Sequence, residues 1–231
     1  MTKINEVFYK VQGEGIYQGI PTVFVRLQGC PLIPKCRWCD TSYAWDPNRG
    51  EERAPNDLIQ EVSRLSPHYQ SWCCITGGEP LWQRDGLEEL VRLLKNGGYR
   101  ITVETNGAFE PPKWWTLVDS WNADMKCPSS GVCGVSKEDW FYTRGTDQIK
   151  FVVGDMGDLD FARNLINKYK AKSPVVLISP VAHILVNRKE GIIEEYWSRE
   201  WLQECVEFCA EERVRFSLQW HKFVYGDKRG V

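Results

Sequence analysis

The sequence predicts an α/β fold, a sheet of mainly parallel strands with helices flanking it. Three observations carry this. Short apolar runs alternate with amphipathic stretches of helical period, the order that βαβ units produce. The conspicuous polar motifs each follow directly on an apolar run, as happens where chemistry gathers on the rim formed by strand C-termini. The length of 231 residues suits a single large domain of this class, taken as residues 1–231.

The elements follow in order. Val23 to Leu27 reads as a strand. Asn56, after Pro55, can cap a helix in which Leu58, Ile59, Val62 and Leu65 share a face. Trp72 to Thr76 reads as a buried strand. Leu87, Leu90, Val91 and Leu94 mark a second helix, ended by Gly97-Gly98. Arg100 to Glu104 is a strand, and a short Trp-rich helix near Trp114 and Leu117 follows. Ser120 to Met125 and Gln148 to Val153 are two more strands. Asp158 can cap a helix carrying Phe161, Ala162, Leu165, Ile166 and Tyr169. Val175 to Ile178 is a strand. Trp201, Leu202, Cys205, Val206 and Cys209 face inward on the last helix, and Val214 to Gln219 closes the series.

Composition narrows the function classes. Hydrophobic residues at 42% supply a core, and charged residues at 26% suit a soluble globular chain. A net charge of −2 gives no basic surface for nucleic acid or an anionic membrane. No apolar run approaches the roughly 18 residues of a membrane span. Met1-Thr2-Lys3-Ile4-Asn5-Glu6 lacks the apolar core of a signal peptide, so a cytoplasmic protein is expected. Nine Cys without a secretion signal then argue against a disulfide framework. Cys73, Cys74, Cys127, Cys133, Cys205 and Cys209 read as small buried or turn residues. His68 and His183 receive no role.

Cys30, Cys36 and Cys39 are different. They stand on one loop directly after a strand, in Gly29-Cys30-Pro31-Leu32-Ile33-Pro34-Lys35-Cys36-Arg37-Trp38-Cys39-Asp40-Thr41. Three thiolates on one loop suit an iron–sulfur cubane with one iron left open, whereas the usual cluster has four Cys ligands. The competing reading is structural zinc, which wants four N or S ligands. Thr76-Gly77-Gly78-Glu79-Pro80 ends the next strand, where paired glycines let backbone approach a ligand and Glu79 offers an acceptor to an ammonium group.

Together, Cys30, Cys36 and Cys39 with Gly77-Gly78-Glu79-Pro80 resemble the radical S-adenosylmethionine (SAM) enzymes. The resemblance implies an incomplete, partial radical SAM β/α barrel, a [4Fe–4S] cluster held by the three Cys, and SAM bound at the open iron. There SAM is cleaved to methionine and a radical that abstracts a substrate hydrogen; the cofactors carry the chemistry and the protein orients them. The resemblance also implies SAM contacts at Trp38, Gly77, Gly78, Glu79, Glu104, Asn106, Lys126 and Ser130. Turn capping is the alternative for Glu104 and Asn106, and a strand-end salt bridge with a polar turn is the alternative for Asp124, Lys126 and Ser130. The first Cys gap holds five residues, against three in the usual family spacing. A longer loop still returns its thiolate at modest entropic cost.

Further motifs sharpen the resemblance. Val11-Gln12-Gly13-Glu14-Gly15, Gly19 to Arg26, Trp38-Cys39-Asp40-Thr41, Asp124 to Gly131 and Leu218-Gln219-Trp220-His221-Lys222 are similar to the 7-carboxy-7-deazaguanine synthase family. That family converts 6-carboxy-5,6,7,8-tetrahydropterin to 7-carboxy-7-deazaguanine with loss of ammonia, feeding queuosine and related deazapurine pathways. The resemblance implies a carbon–nitrogen lyase, a homodimer, a Mg²⁺ ion at Thr41, and reduction by a flavodoxin or ferredoxin-type donor. Thr76 and His221 join the expected substrate site. Gln12 offers a donor and an acceptor to a pterin edge, and Glu14 accepts from N–H groups. Gly13 and Gly15 let that loop lie close to the ring. Arg26 can clamp a carboxylate bidentately, its alternative being a surface or interstrand Arg. Asp40-Thr41 reads equally as a turn or cap. Two other functions compete: a radical SAM activase acting on a partner protein, and a non-catalytic zinc or electron-transfer module.

Overall fold

The computed structural model describes residues 1–66, 71–169, 174–187, 192–226 and 228–230. His68 lies outside them. The strands are β1 (Thr2–Val11), β2 (Pro21–Leu27), β3 (Glu51–Arg53), β4 (Trp72–Gly77), β5 (Arg100–Thr105), β6 (Ser120–Asp124), β7 (Gln148–Val153), β8 (Val175–Pro180), β9 (His183–Asn187), β10 (Ile192–Tyr196) and β11 (Arg215–Phe216). The helices are α1 (Pro55–Leu65), α2 (Arg84–Asn96), α3 (Met156–Tyr169), α4 (Arg199–Glu212) and α5 (Trp220–Tyr225).

Among the described residues nine strands form one sheet in the order β11-β8-β7-β6-β5-β4-β2-β1-β3. Every pairing from β2 to β11 is parallel, while β1 pairs antiparallel with β2 and β3. The end strands β3 and β11 do not pair with each other, so the sheet is an open, incomplete barrel. β9 and β10 form a separate antiparallel hairpin.

The parallel strands read as continuous apolar runs because both faces are covered. In β4, Cys73, Cys74, Ile75 and Thr76 are buried in succession. The flanking helices bury one stripe each, and in α2 that stripe is Leu87, Leu90, Val91 and Leu94. One apolar cluster runs from Ile4 in β1 to Cys209 in α4. In the β5–β6 connection the expected short Trp-rich helix is a single 3-10 turn, Trp115–Leu117. Trp114 of this connection packs 5.8 Å from the fully buried Trp121, which lies 5.4 Å from Trp140.

Several local expectations are corrected. Ala54, with no capping side chain, precedes α1, and Pro55 stands in its first turn, where a missing N–H is harmless. Asp155 caps α3: its Oδ1 accepts from the Asp158 N–H at 3.0 Å. Asp158 instead accepts from Gly154 N–H at 2.7 Å and Ser129 N–H at 3.0 Å. On α4, Phe208 is buried with Cys205 and Cys209, while Val206 faces solvent. The last strand shrinks to Arg215–Phe216, because only these residues pair with β8. β1, β3, β9, β10 and α5 were not anticipated.

Candidate active site

The cysteine loop leaves the C-terminal end of β2. Gly29 N–H donates to Ala44 O at 2.7 Å and Cys30 N–H to Trp45 O at 3.1 Å, fixing its root. The long first gap folds back on itself. Leu32 tucks into a small apolar cluster with Cys30 and Val132, while Ile33 stands 91% exposed. Lys35 Nζ donates to Cys30 O at 2.5 Å. Arg37 N–H then donates to Ser130 O at 3.0 Å, and Cys39 N–H to Cys36 O at 3.3 Å. The loop is thus tied at both ends despite its length.

Cys30, Cys36 and Cys39 line one cavity of about 150 Å³ with Trp38, Gly77, Gly78 and Asn106. N–H groups face two of the sulfurs: Trp45 Nε1 donates to Cys39 Sγ at 3.1 Å, and Asn106 Nδ2 lies 4.0 Å from Cys30 Sγ. Such donors suit thiolate ligands, whose negative charge they stabilise. Burial pushes the Cys30 and Cys36 thiols up, with Lys126 pulling Cys36 back down. Among the described residues no three His, Cys, Asp or Glu side chains converge as the ligands of one metal ion do. The three thiols line one cavity wall, a donor set that suits an iron–sulfur cluster with one iron left open. The other six Cys do not line this cavity.

Gly77 and Gly78 line the cavity because backbones meet there. A Cβ on Gly77, at φ +137°, would lie 2.2 Å from Leu27 O, and one on Gly78 would lie 2.1 Å from Gly29 O. Glu79 is placed differently from expectation. It is fully buried outside the cavity wall, accepting from Leu81 N–H at 2.8 Å, Thr105 Oγ1 at 2.8 Å and Asn106 N–H at 2.7 Å. Burial pushes its carboxyl up to about 7. Ser130 is also buried off the wall, its Oγ donating to Cys127 O at 2.6 Å.

A second cavity of about 130 Å³ adjoins the first, lined by Gln12, Gly13, Arg26, Tyr43 and His221 among others. Glu14, Asp40, Thr41, Thr76, Glu104 and Lys222 border both. Gln12 is buried, donating from Nε2 to Glu104 Oε1 at 3.2 Å and accepting from Gly13 N–H at 2.9 Å. Gly13 is required by the close approach of His221, whose Nδ1 would lie 2.3 Å from a Cβ there. That Nδ1 is buried with no hydrogen-bond partner among the described residues. Gly15 does not line the cavity; it turns at φ +76° against Gln148. Arg26 pairs through Nε with Glu6 at 2.8 Å and lies over the rings of Phe8 and Tyr43.

Charges alternate along the wall between the cavities. Lys150 Nζ sits 2.8 Å from Glu14 Oε2 and 3.3 Å from Asp124 Oδ1, and Lys126 Nζ sits 2.6 Å from Asp124 Oδ2. Burial opposes ionisation of Glu14 and Asp124, yet the lysines hold both below their ordinary values. Glu104 accepts from Thr76 Oγ1 at 2.8 Å, and burial together with the Glu14 charge pushes it up. Asp40 accepts from Thr41 Oγ1 at 2.8 Å and lies 3.3 Å from Lys222 Nζ. Although burial opposes it, Lys222, the Thr41 hydroxyl and His221 hold Asp40 well below the usual carboxylate range.

Sequence reasoning missed Lys150, Glu6, Tyr43 and Arg229, the last of which lines the second cavity with its Nε 3.2 Å from Glu6 Oε2. The signal for Lys150 was present, a lysine inside the apolar run Gln148–Val153. Its partners lie 26 and 136 residues away in sequence (150 − 124 and 150 − 14), which hides the pairing.

Comparison with known proteins completes the picture. The Radical SAM superfamily pattern matches residues 24–118, the stretch holding the cysteine loop, Gly77-Gly78 and Asn106. A 7-carboxy-7-deazaguanine synthase of Leptospira interrogans is 32% identical, covering 100% of this chain and 98% of its own length. The chain belongs to the 7-carboxy-7-deazaguanine synthase family. The family's Pyrobaculum aerophilum member is 38% identical over 78% of this chain and 79% of its own. The synthase family's fold is seen in QueE from Escherichia coli, which superposes with a TM-score of 0.68 at 23% identity, covering 94% of this chain and 93% of that one. Streptococcus suis SuiB bound to S-adenosylmethionine shares the core fold more distantly, with a TM-score of 0.55 at 12% identity over 83% of this chain and 48% of its own.

Proposed function

We propose that this chain is a radical SAM carbon–nitrogen lyase that converts 6-carboxy-5,6,7,8-tetrahydropterin to 7-carboxy-7-deazaguanine with loss of ammonia, in queuosine and deazapurine biosynthesis. Family membership supports the activity. The observation that carries the residue assignment is the pair of adjoining cavities, one walled by three thiols and the other by groups suited to a carboxylated pterin.

Cys30, Cys36 and Cys39 would hold the [4Fe–4S] cluster, and the Trp45 and Asn106 N–H groups would moderate the thiolate charge. When bound, cluster and SAM supply the electron and the radical that removes a substrate hydrogen. Trp38, Gly77, Gly78, Asn106 and Lys126 line the cofactor side, and Glu104 stands on the shared wall. Glu79 acts at one remove, anchoring the turn that presents Asn106. Ser130 likewise holds the cysteine loop through its carbonyl.

On the substrate side Arg26 receives the carboxylate, while Gln12, Glu14 and His221 meet the polar ring edge. Gly13 and Gly15 shape the loop carrying Glu14, and Thr76 fixes Glu104. Thr41, beside the ionised Asp40, offers Mg²⁺ an oxygen donor between the cavities. We further read the chain as one domain over residues 1–231, a cytoplasmic homodimer reduced by a flavodoxin or ferredoxin-type donor. No helix among the described residues is long and apolar enough to cross a membrane.

The test is incubation of the anaerobically reconstituted, reduced protein with the carboxypterin, SAM and Mg²⁺. Formation of 7-carboxy-7-deazaguanine and ammonia supports the reading, and turnover of SAM with no deazaguanine overturns it.

A further inference from the structure

Lys150 is a lysine where the sequence offers a core strand. It lies near the middle of β7, between Ile149 and Phe151, both fully buried, and is itself 6% exposed. An ammonium group in such a place is costly unless it is paired and hydrogen-bonded. Its register partner on β6 is Asp124, whose Oδ1 lies 3.3 Å away. Its closest carboxylate comes from a different part of the chain, the β1–β2 loop, where Glu14 Oε2 lies at 2.8 Å. Asp124 also holds Lys126, so it is matched by charge without Lys150. Glu14 has no comparable second cation within hydrogen-bond reach among the described residues; Gln219 Nε2, at 3.3 Å, shares the same Oε2. Lys150 and Gln219 therefore both grip Oε2, and Glu14 is the residue of this group that borders both cavities.

We propose that Lys150 is a positioning residue for substrate: it holds Glu14 as an aimed acceptor for the N–H edge of a flat heteroaromatic ring in the second cavity, with Asp124 as the fixed strut behind it. This rests on the reading of that cavity as the pterin site. Lys150 lines the first cavity but not the second, so it reaches the second only through Glu14. Two consequences separate this from a purely structural role. Loss of Lys150 should weaken pterin binding far more than SAM binding, because Asp124 keeps Lys126. Its effect should also vanish once Glu14 can no longer act as a charged acceptor.

The experiment uses the reconstituted holoenzyme and compares wild type with Lys150→Met, Lys150→Arg, Glu14→Gln and the Lys150→Met/Glu14→Gln pair. Fluorescent 6-carboxypterin is the equilibrium binding probe, and SAM affinity and iron content are read in parallel. For Lys150→Met the pterin Kd should rise by about tenfold or more, with SAM Kd and iron content within about threefold of wild type. Lys150→Arg should recover much of the loss. The double variant should bind pterin about as weakly as Glu14→Gln alone. An unchanged pterin Kd in Lys150→Met overturns the inference, as do equal losses of pterin and SAM affinity, or additive effects in the pair. If Lys150→Met fails to fold or assemble a cluster, Lys150→Arg and Glu14→Gln still decide the matter: Lys150→Arg must bind pterin better than Glu14→Gln, and the reverse order overturns the inference. Failure of wild type to bind the carboxypterin would instead overturn the substrate reading itself, and this inference with it.

Discussion

Glu79 accepts the backbone N–H of Asn106 at 2.7 Å, so a carboxyl group just beyond β4 fixes the turn that leaves β5. Thr105 Oγ1 donates to the same carboxyl group at 2.8 Å. Two neighbouring strand ends are thereby locked beside the first cavity by a group that does not line it.

This burial gives a pH signature. The Glu79 carboxyl is raised from 4.5 to about 7 by desolvation. A raised pKa means that the folded chain holds the proton more tightly than the unfolded chain. Glu79's contribution is therefore full below about pH 4.5, declines as pH rises through about 7, and is lost above, a swing of about 3 kcal/mol. Thermal melts under anaerobic conditions should show wild type losing Tm relative to Glu79→Gln as pH rises across this window. A gap that stays constant, or widens in favour of wild type, contradicts the assignment.

Gly77→Ala should be among the more damaging single changes near the site. Its Cβ would meet Leu27 O at 2.2 Å and Leu27 N at 2.4 Å, both backbone atoms that cannot step aside. We expect a loss of about 3 kcal/mol or more by urea unfolding, with reduced iron retention because Leu27 leads into the cysteine loop. Gly19→Ala is the contrast: φ is +90°, but nothing lies within 4 Å, so only about 1 kcal/mol is at stake. Similar losses in the two variants would refute the steric argument.

Replacing Cys30, Cys36 or Cys39 by Ala should each prevent cluster assembly, read as iron and sulfide per chain after anaerobic reconstitution. Cys133→Ala should leave iron unchanged, since Cys133 is exposed and lines neither cavity. A full, active cluster in Cys30→Ala would remove that residue from the ligand set.

Arg26→Ala should weaken carboxypterin binding by about tenfold to a hundredfold while leaving SAM cleavage much less affected. Arg26→Lys should restore little of the affinity, because an ammonium group cannot reproduce a two-pronged grip on a carboxylate. Equal loss of both activities would make Arg26 a structural partner of Glu6.

The parallel half of the fold was legible in the sequence because strands covered on both faces leave unbroken apolar runs, and α2 leaves a clean stripe. β1 was not, because it lies next to the sheet's end and is only half-covered: of its ten residues only Thr2 and Ile4 are buried. α5 is six residues with none buried, too short to leave a periodic signal, and its apolar Phe223 and Val224 face solvent. In the site, residues whose chemistry is local were legible, such as the three Cys and the paired glycines. The direction in which Glu79 points was not legible, because its motif offers an acceptor while packing turns the carboxyl inward to three donors. Lys150 was missed because its meaning depends on Glu14 and Asp124, which topology rather than sequence brings to it.

The way Leu32 and Lys35 close the first cysteine gap bears on how relatives of this chain are found. Leu32 anchors inward and Lys35 bonds back to the Cys30 carbonyl, so the intervening chain is free to bulge without moving either thiol. Both cysteines still line the one cavity, although five residues separate them. A search pattern written as a fixed residue count would discard this chain, whereas one written on anchor points would keep it.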